Sequence, residues 1–231
     1  MILGKKVTGI ILIAGNSKRF GKGVNKNFEL IKGKSILSYS LDAFIMNNYI
    51  DDISIVAREK DVETVEKIIS KSTSCKEINV VLGGNSRQQS VYNAIRNIKS
   101  NIVIIHDGAR PLIKQEYINN CLKEMVNFKG VAVGVKVKDT IKVTNDKGEV
   151  IETTERDNTW TIQTPQCFDR DILFEMHKKF KNCQTTDDCT LFEKGGYNVK
   201  IIKGGYTNIK VTTYEDISII QQWIWILVIE T

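Results

Sequence analysis

The sequence predicts an α/β fold: a mostly parallel, Rossmann-like sheet with helices on both faces and an inserted β-hairpin arm. Three observations carry that expectation. Short, β-branched, almost wholly apolar runs alternate with longer stretches whose apolar residues recur every three or four positions, as they do when crossover helices bury strands on both faces. Several of the apolar runs give way at once to glycine-rich or polar segments, and in an open α/β sheet ligands bind beyond the carboxyl ends of the strands. One stretch, residues 137–154, breaks the alternation with two short strand-like runs around Asn145-Asp146-Lys147-Gly148, a turn-forming tetrapeptide that predicts a hairpin.

In order along the chain, strands are expected at 7–13, 53–57, 78–82, 102–106, 131–135 and 199–202, where Val and Ile dominate. Helices are expected between them, at 35–46, 61–70, 87–98, 115–128 and 171–179. The segments around Arg156, Trp160, Gln163 to Gln166 and Thr186 to Asp188 read as polar loops, and Asn208-Ile209-Lys210-Val211-Thr212 as a short alternating strand. The hairpin strands carry few large apolar residues, and an isolated hairpin is marginal in water. It therefore packs on its own sheet or reaches another subunit. No internal repeat and no Gly/Ser/Pro linker interrupts the 231 residues, so one domain over 1–231 is expected, with the arm at about 137–156.

Composition narrows the function. A chain with 42% hydrophobic and 26% charged residues folds. The net charge of +6 suits anionic partners, but Lys and Arg are dispersed among acids with no basic run, which speaks against nucleic acid and leaves small phosphorylated molecules. Five cysteines, odd in number and without a C-x-x-C pair, read as free thiols of a reducing compartment, and two histidines make a zinc site unexpected. The apolar start reads as a strand, not a signal peptide. The apolar C-terminal run is shorter than the roughly 20 residues of a membrane span. A cytoplasmic protein with no membrane partner follows. Prolines number 2, where average usage of about 5% would give roughly a dozen; Pro111 and Pro165 are expected to stiffen turns that matter.

Three clusters could carry chemistry. After the first strand comes Ala14-Gly15-Asn16-Ser17-Lys18-Arg19-Phe20-Gly21, then Lys26. Small residues let backbone N–H groups approach a phosphate while Arg19 and Lys26 supply charge; neither the G-x-x-x-x-G-K-[ST] nor the G-x-G-x-x-G order is present. After the third strand, Gly83-Gly84-Asn85-Ser86-Arg87 opens a helix with Ser86 placed to cap it. The fourth strand ends in His106-Asp107-Gly108-Ala109-Arg110-Pro111, where a carboxylate at a central strand end can hold Mg2+ against a triphosphate. There Arg110 beside Pro111 orders the loop, and His106 reads as structural.

Together these clusters resemble, over nearly the whole chain, the family of 2-C-methyl-D-erythritol 4-phosphate cytidylyltransferases. The first loop matches the family's A-A-G-x-G-x-R-M-G and P-K-Q through Ala14, Gly15, Arg19, Gly21 and Lys26. The rest matches as GGxxRxxSV from Gly83 to Val91, HDGARP, Asp139-Thr140, Arg156 with Trp160, Thr164-Pro165-Gln166, Thr186-Asp187 and Asn208-x-Lys210-x-Thr212. Departures are Ile13 for Ala, Ser17 for Gly, Phe20 for Met, Asn25 for Pro and Asn27 for Gln.

The resemblance implies transfer of a cytidylyl group from CTP to a sugar-alcohol phosphate, with release of pyrophosphate. It implies Arg19, Lys26 and Lys210 as catalytic cations around the reacting phosphates, and Asp107 as the Mg2+ ligand within the CTP site. Ala14, Gly15, Gly84 and Ser90 would hold cytosine and ribose, and Thr140, Arg156, Thr164 and Thr186 the acceptor. It further implies a homodimer through the arm, which carries acceptor-binding residues to the neighbour's site. Two alternatives stand beside this reading: a sister enzyme acting on ribitol 5-phosphate for cell-wall polymers, against which Thr186-Asp187 and Trp160 lean, and a non-catalytic nucleotide- or nucleic-acid-binding domain.

Overall fold

In the computed structural model, which describes residues 2, 4–15, 20, 25–181, 183 and 185–229, the expected alternation is realised. The first half runs β1 (Val7–Leu12), β2 (Leu30–Ile31), β3 (Lys34–Ser35), α1 (Ile36–Ile45), β4 (Asp52–Ala57), α2 (Val62–Ser70), β5 (Glu77–Leu82), α3 (Arg87–Ile95) and β6 (Ile102–Asp107). The second half runs α4 (Gln115–Glu124), β7 (Gly130–Lys136), β8 (Lys142–Thr144), β9 (Val150–Thr153), β10 (Trp160–Asp169), α5 (Arg170–Lys179), α6 (Cys189–Lys194), β11 (Val199–Lys203) and α7 (Tyr214–Ile229). Seven strands form one sheet in the order β11-β7-β10-β6-β1-β4-β5. Its strands are parallel apart from β10, which runs antiparallel to both neighbours.

Alternation along each strand divides the core into two layers. Val7 and Ile11 of β1, with Ile53 and Ile55 of β4, pack beneath Leu37, Leu41 and Phe44 of α1 and Ile118 and Leu122 of α4. Ile10, Val56, Val103 and Ile105 point the other way, onto Val91 and Ile95 of α3, Leu173 of α5 and Phe192 of α6. Each such buried aliphatic stabilises the fold by roughly 1.5–3 kcal/mol. Gly9 lets α1 approach closely, since a Cβ there would run into the Phe44 ring. A smaller cluster, with Ile31, Ile36 and Leu112, seats Ile220 and Ile224 of α7.

The structure departs from the sequence expectations at specific places. Residues 163–166 are not a polar loop: they lie in β10, between β7 and β6, with Gln163, Thr164 and Gln166 buried. Pro165 is accommodated there because the pairing with β7 shifts register between Ile162 and Gln166, where a residue lacking an N–H interrupts no ladder; the Thr164–Pro165 peptide is cis. Residues 208–212 are not a strand but an extended connection, tied to the loop after β6 by Val211 N–H donating to Ala109 O at 2.8 Å. Two expected helices stop about one turn early, where Ile98 N–H bonds Ile95 O and Val126 N–H bonds Lys123 O, the tighter i to i−3 closure of a helix end.

The hairpin forms as expected. β8 and β9 pair antiparallel, and every residue in both is exposed. Asn145 Oδ1 accepts from the N–H groups of Lys147 and Glu149, each at 3.0 Å, and Gly148 takes φ +80°. Among the described residues no helix is long and apolar enough to cross a membrane.

Candidate active site

The carboxyl ends of β1, β4, β5 and β6 open onto one crevice of about 670 Å³, within the range of small-molecule sites. Ala14 and Gly15 supply its floor from β1, Arg58 and Glu59 its edge from β4, and the turn from Gly83 to Arg87 its wall from β5. Asp107 and Ala109 enter from β6, Lys26 and Asn27 from the short helical turn after the first loop, and Lys210 and Thr212 from the extended connection before α7.

Local chemistry holds each of these in place. Ser86 caps α3 by accepting Gln89 N–H at 3.0 Å. Ser90, one turn into that helix, donates to Ser86 O at 2.8 Å and accepts Gly84 N–H at 3.0 Å. Its hydroxyl thus shapes the Gly83-Gly84 turn, which lies so close to the first loop that a Cβ on Gly83 would collide with Ala14. Arg87 turns back over the crevice with Nη1 2.7 Å from Asp188 Oδ2, and His177 Nε2 holds the other oxygen at 3.0 Å. Burial would push the Asp188 carboxyl up, but Arg87 and His177 outweigh it and keep it below the usual carboxylate range. Asp188, the residue after the Thr186-Asp187 pair, therefore positions an arginine, while Asp187 caps α6 through the N–H and hydroxyl of Thr190 at 3.2 and 2.9 Å.

The densest cluster surrounds Asp107, whose Oδ2 lies 2.9 Å from Lys210 Nζ and 3.4 Å from Arg110 Nε. Burial alone would raise this carboxyl; Lys210, Arg110 and Arg87 overcome that and hold it well below the usual range, so it is ionised. Beneath it, Asp107 N–H donates to Thr164 Oγ1 at 3.0 Å and Thr164 Oγ1 meets His106 Nδ1 at 2.9 Å. His106 Nε2 faces Arg110 O at 3.2 Å, an acceptor only, so Nε2 carries the proton and Nδ1 accepts from Thr164. Complete burial lowers the His106 pKa to about 4 and keeps it neutral. Arg110 Nη1 donates to Asn208 O at 2.8 Å, and Asn208 Nδ2 donates to Thr164 O at 2.9 Å, which ties the Lys210 segment to β6 and β10.

Of the residues singled out from sequence, the crevice gathers Ala14, Gly15, Lys26, Gly84, Ser90, Asp107 and Lys210. Arg19 lies outside the described residues. Thr164 does not reach the crevice, because its hydroxyl is enclosed between Asp107 and His106. Thr140 and Arg156, on the arm and at its end, and Thr186 are exposed and do not line it within one chain. Sequence reasoning passed over Arg58, although its place directly after a strand, at the carboxyl edge, was a signal. It also passed over the Asp188–His177 clamp, which long-range packing alone creates.

The model of the 2-C-methyl-D-erythritol 4-phosphate cytidylyltransferase family matches residues 7–225. A Clostridium botulinum (strain 657, type Ba4) protein of that name is 39% identical over 217 residues, covering 92% of this chain and 95% of the relative. One from Clostridium acetobutylicum is 41% identical over 212 residues, covering 90% and 93%. The crystal structure of 4-diphosphocytidyl-2C-methyl-D-erythritol synthase from Anaerococcus prevotii superposes with a TM-score of 0.87 at 31% identity, over 96% of this chain and 97% of that one. The chain therefore belongs to the 2-C-methyl-D-erythritol 4-phosphate cytidylyltransferase family.

Proposed function

We propose that the protein transfers CMP from CTP to 2-C-methyl-D-erythritol 4-phosphate and releases pyrophosphate, a step of isoprenoid precursor synthesis. The observation that carries the reading is the Asp107–Lys210–Arg110 cluster at a central strand end, beside a crevice walled by the Gly83-Gly84 turn. The acceptor's phosphate oxygen attacks the α-phosphorus, a new P–O bond forms, and the bond to the bridging oxygen breaks as pyrophosphate departs. Such a transfer needs positioning and charge stabilisation more than covalent help. Lys26 and Lys210, with Arg19, supply the cations; backbone at Ala14, Gly15 and Gly84 receives the nucleoside, and Ser90 keeps that turn in shape. Arg87, fixed by Asp188, adds a directed guanidinium.

Mg2+ fits this donor set. Among the described residues no three His, Cys, Asp or Glu side chains converge, but Mg2+ is commonly held through one or two carboxylates and the substrate's own phosphates. The ionised Asp107 is such a carboxylate. Bound there, the ion would neutralise charge on the triphosphate and orient it.

The acceptor side is read as completed by a second copy of the chain. Thr140 and Arg156 stand exposed at the arm, together with the apolar Val143, Val150 and Ile151, which supports a homodimer whose arm reaches the neighbour's crevice and meets Thr186 there. The cysteines are free, in keeping with a cytoplasmic enzyme. Pyrophosphate release is measured with CTP, Mg2+ and either 2-C-methyl-D-erythritol 4-phosphate or ribitol 5-phosphate. Preference for the methylerythritol acceptor is expected, and preference for ribitol 5-phosphate would overturn the assignment.

A further inference from the structure

The crevice holds one arginine that none of the family motifs includes. Arg58 follows β4 directly, at a point where Ile13 N–H donates to Val56 O at 2.9 Å and Gly83 N–H donates to Ala57 O at 2.8 Å. Its backbone thus stands between the first loop and the Gly83-Gly84 turn. The side chain is 17% exposed, with Nε 2.6 Å from Asp61 Oδ2. Asp61 is buried and accepts in turn from Asn25 Nδ2 at 2.9 Å; that amide also donates to Ile13 O at 3.0 Å, and its Oδ1 takes the N–H and Nδ2 of Asn27 at 3.2 and 2.7 Å. This buried relay stands where the family pattern has Pro and Gln. It fixes one face of the guanidinium, while Nη2 is buried with no hydrogen-bond partner among the described residues. Glu59 lines the same edge but is exposed.

We propose that Arg58, held by Asp61, binds the nucleoside of CTP by donating from the part of its guanidinium that lines the crevice to an acceptor atom of the base or ribose. The guanidinium is fixed through Nε, and Arg58 keeps part of its side chain accessible while lining the crevice; a cation held in place at a ligand crevice is preorganised to donate to what binds there. The nucleoside, not the triphosphate, is assigned by the order of the strand ends. Asp107 and Lys210 mark the phosphates at β6; β1 lies next, then β4, so Arg58 stands about two strand spacings, roughly 10 Å, from that cluster and one from Gly83. The assignment rests on the cytidylyltransferase reading above.

The test uses the full chain with Arg58→Met, which keeps the stem and removes the donors. Titration calorimetry is run with CTP, CMP and pyrophosphate, alongside steady-state kinetics. Loss of a charged donor to the nucleoside is expected to weaken CTP and CMP by about tenfold or more. Pyrophosphate binding is expected to stay within about twofold, and KM for CTP to rise while kcat and KM for the acceptor change little. Arg58→Lys should recover part of the affinity. Unchanged CTP and CMP affinity overturns the proposal, as does a loss that appears equally with pyrophosphate, which would make Arg58 a phosphate ligand. Should the methionine variant melt well below wild type, Asp61→Asn serves as the second variant, since freeing the guanidinium should weaken CMP and spare pyrophosphate. A wild-type chain that binds CTP but transfers to no acceptor sinks the transferase reading alone, whereas normal CTP and CMP binding by Arg58→Met in an active enzyme sinks this inference alone.

Discussion

The crevice at the strand ends and the hairpin arm are opposite solutions to placing polar residues. Around Asp107 buried polar groups brace one another: the carboxylate meets Lys210 and Arg110, its N–H meets Thr164, and that hydroxyl meets His106. Along β8 and β9 every residue is exposed, and Val150 and Ile151 face solvent at 59% and 68%. A site whose parts brace one another is preorganised before substrate arrives. A ribbon with exposed apolar side chains and no core of its own is marginal as an isolated hairpin. The contrast teaches that the crevice is built and braced within one copy of the chain, while the arm's residues do not line it.

The largest effect expected from breaking the crevice is kinetic. On the proposed mechanism Lys210→Ala removes a cation from the reacting phosphates, and it should lower kcat for pyrophosphate release by roughly 100- to 1,000-fold, by analogy with the loss of one preorganised donor. Melting temperature measured on the same preparation should fall as well, because the buried Asp107 carboxylate loses its nearest cation and keeps only Arg110 and Arg87 to offset its burial.

A stability counterpart lies beneath it. His106 is held neutral with its pKa lowered to about 4, against 6.5 for an ordinary histidine. Between those values the unfolded chain binds a proton that the folded chain does not, so stability is full above pH 6.5 and is lost as the pH falls toward 4, by roughly 3 kcal/mol in all. Asp107, with its pKa depressed, adds its own loss only below the ordinary aspartate value of 3.8. Denaturant titrations at pH 7, 6, 5 and 4 should follow this limb, and a folded His106→Gln variant should flatten it. A wild-type stability independent of pH over that window would contradict the buried, neutral imidazole.

The arm is tested by mixing. If a site takes Lys26 from one copy and Arg156 from the other, Lys26→Ala and Arg156→Ala proteins, each inactive, should recover about a quarter of wild-type activity when unfolded and refolded together in equal amounts, since half the dimers are mixed and each has one intact site. No recovery would mean that the sites are not shared. The smallest effect belongs to the arm's surface: Ile151→Ser should change unfolding stability by less than about 0.5 kcal/mol, yet weaken self-association seen by sedimentation. A large loss of stability with association intact would show the arm packing on its own chain.

Legibility from sequence followed the range of the interactions. Asp107, the Gly83-Gly84 turn and the Ser86 cap were visible because each depends on a strand end and the residues just after it. The burial of Gln163 and Thr164 was not, because a polar stretch becomes an internal strand only when β6 and β7 flank it. Nor was the role of Asp188, which grips Arg87 across 101 positions of chain. Asn25 illustrates both: its departure from proline could be read directly, but its bonds to Ile13 and Asp61 needed the fold.

Sequence by itself determined the alternating elements, the parallel character of the sheet and the family's charged residues, because hydrophobic period and strand-end chemistry are local properties. Only the tertiary structure decided which polar groups face the crevice and which brace it. Thr164 was moved beneath the site, Arg58 was brought into it, and Thr140 and Arg156 were left outside, since burial and hydrogen-bond partnership are set by segments far apart in the chain.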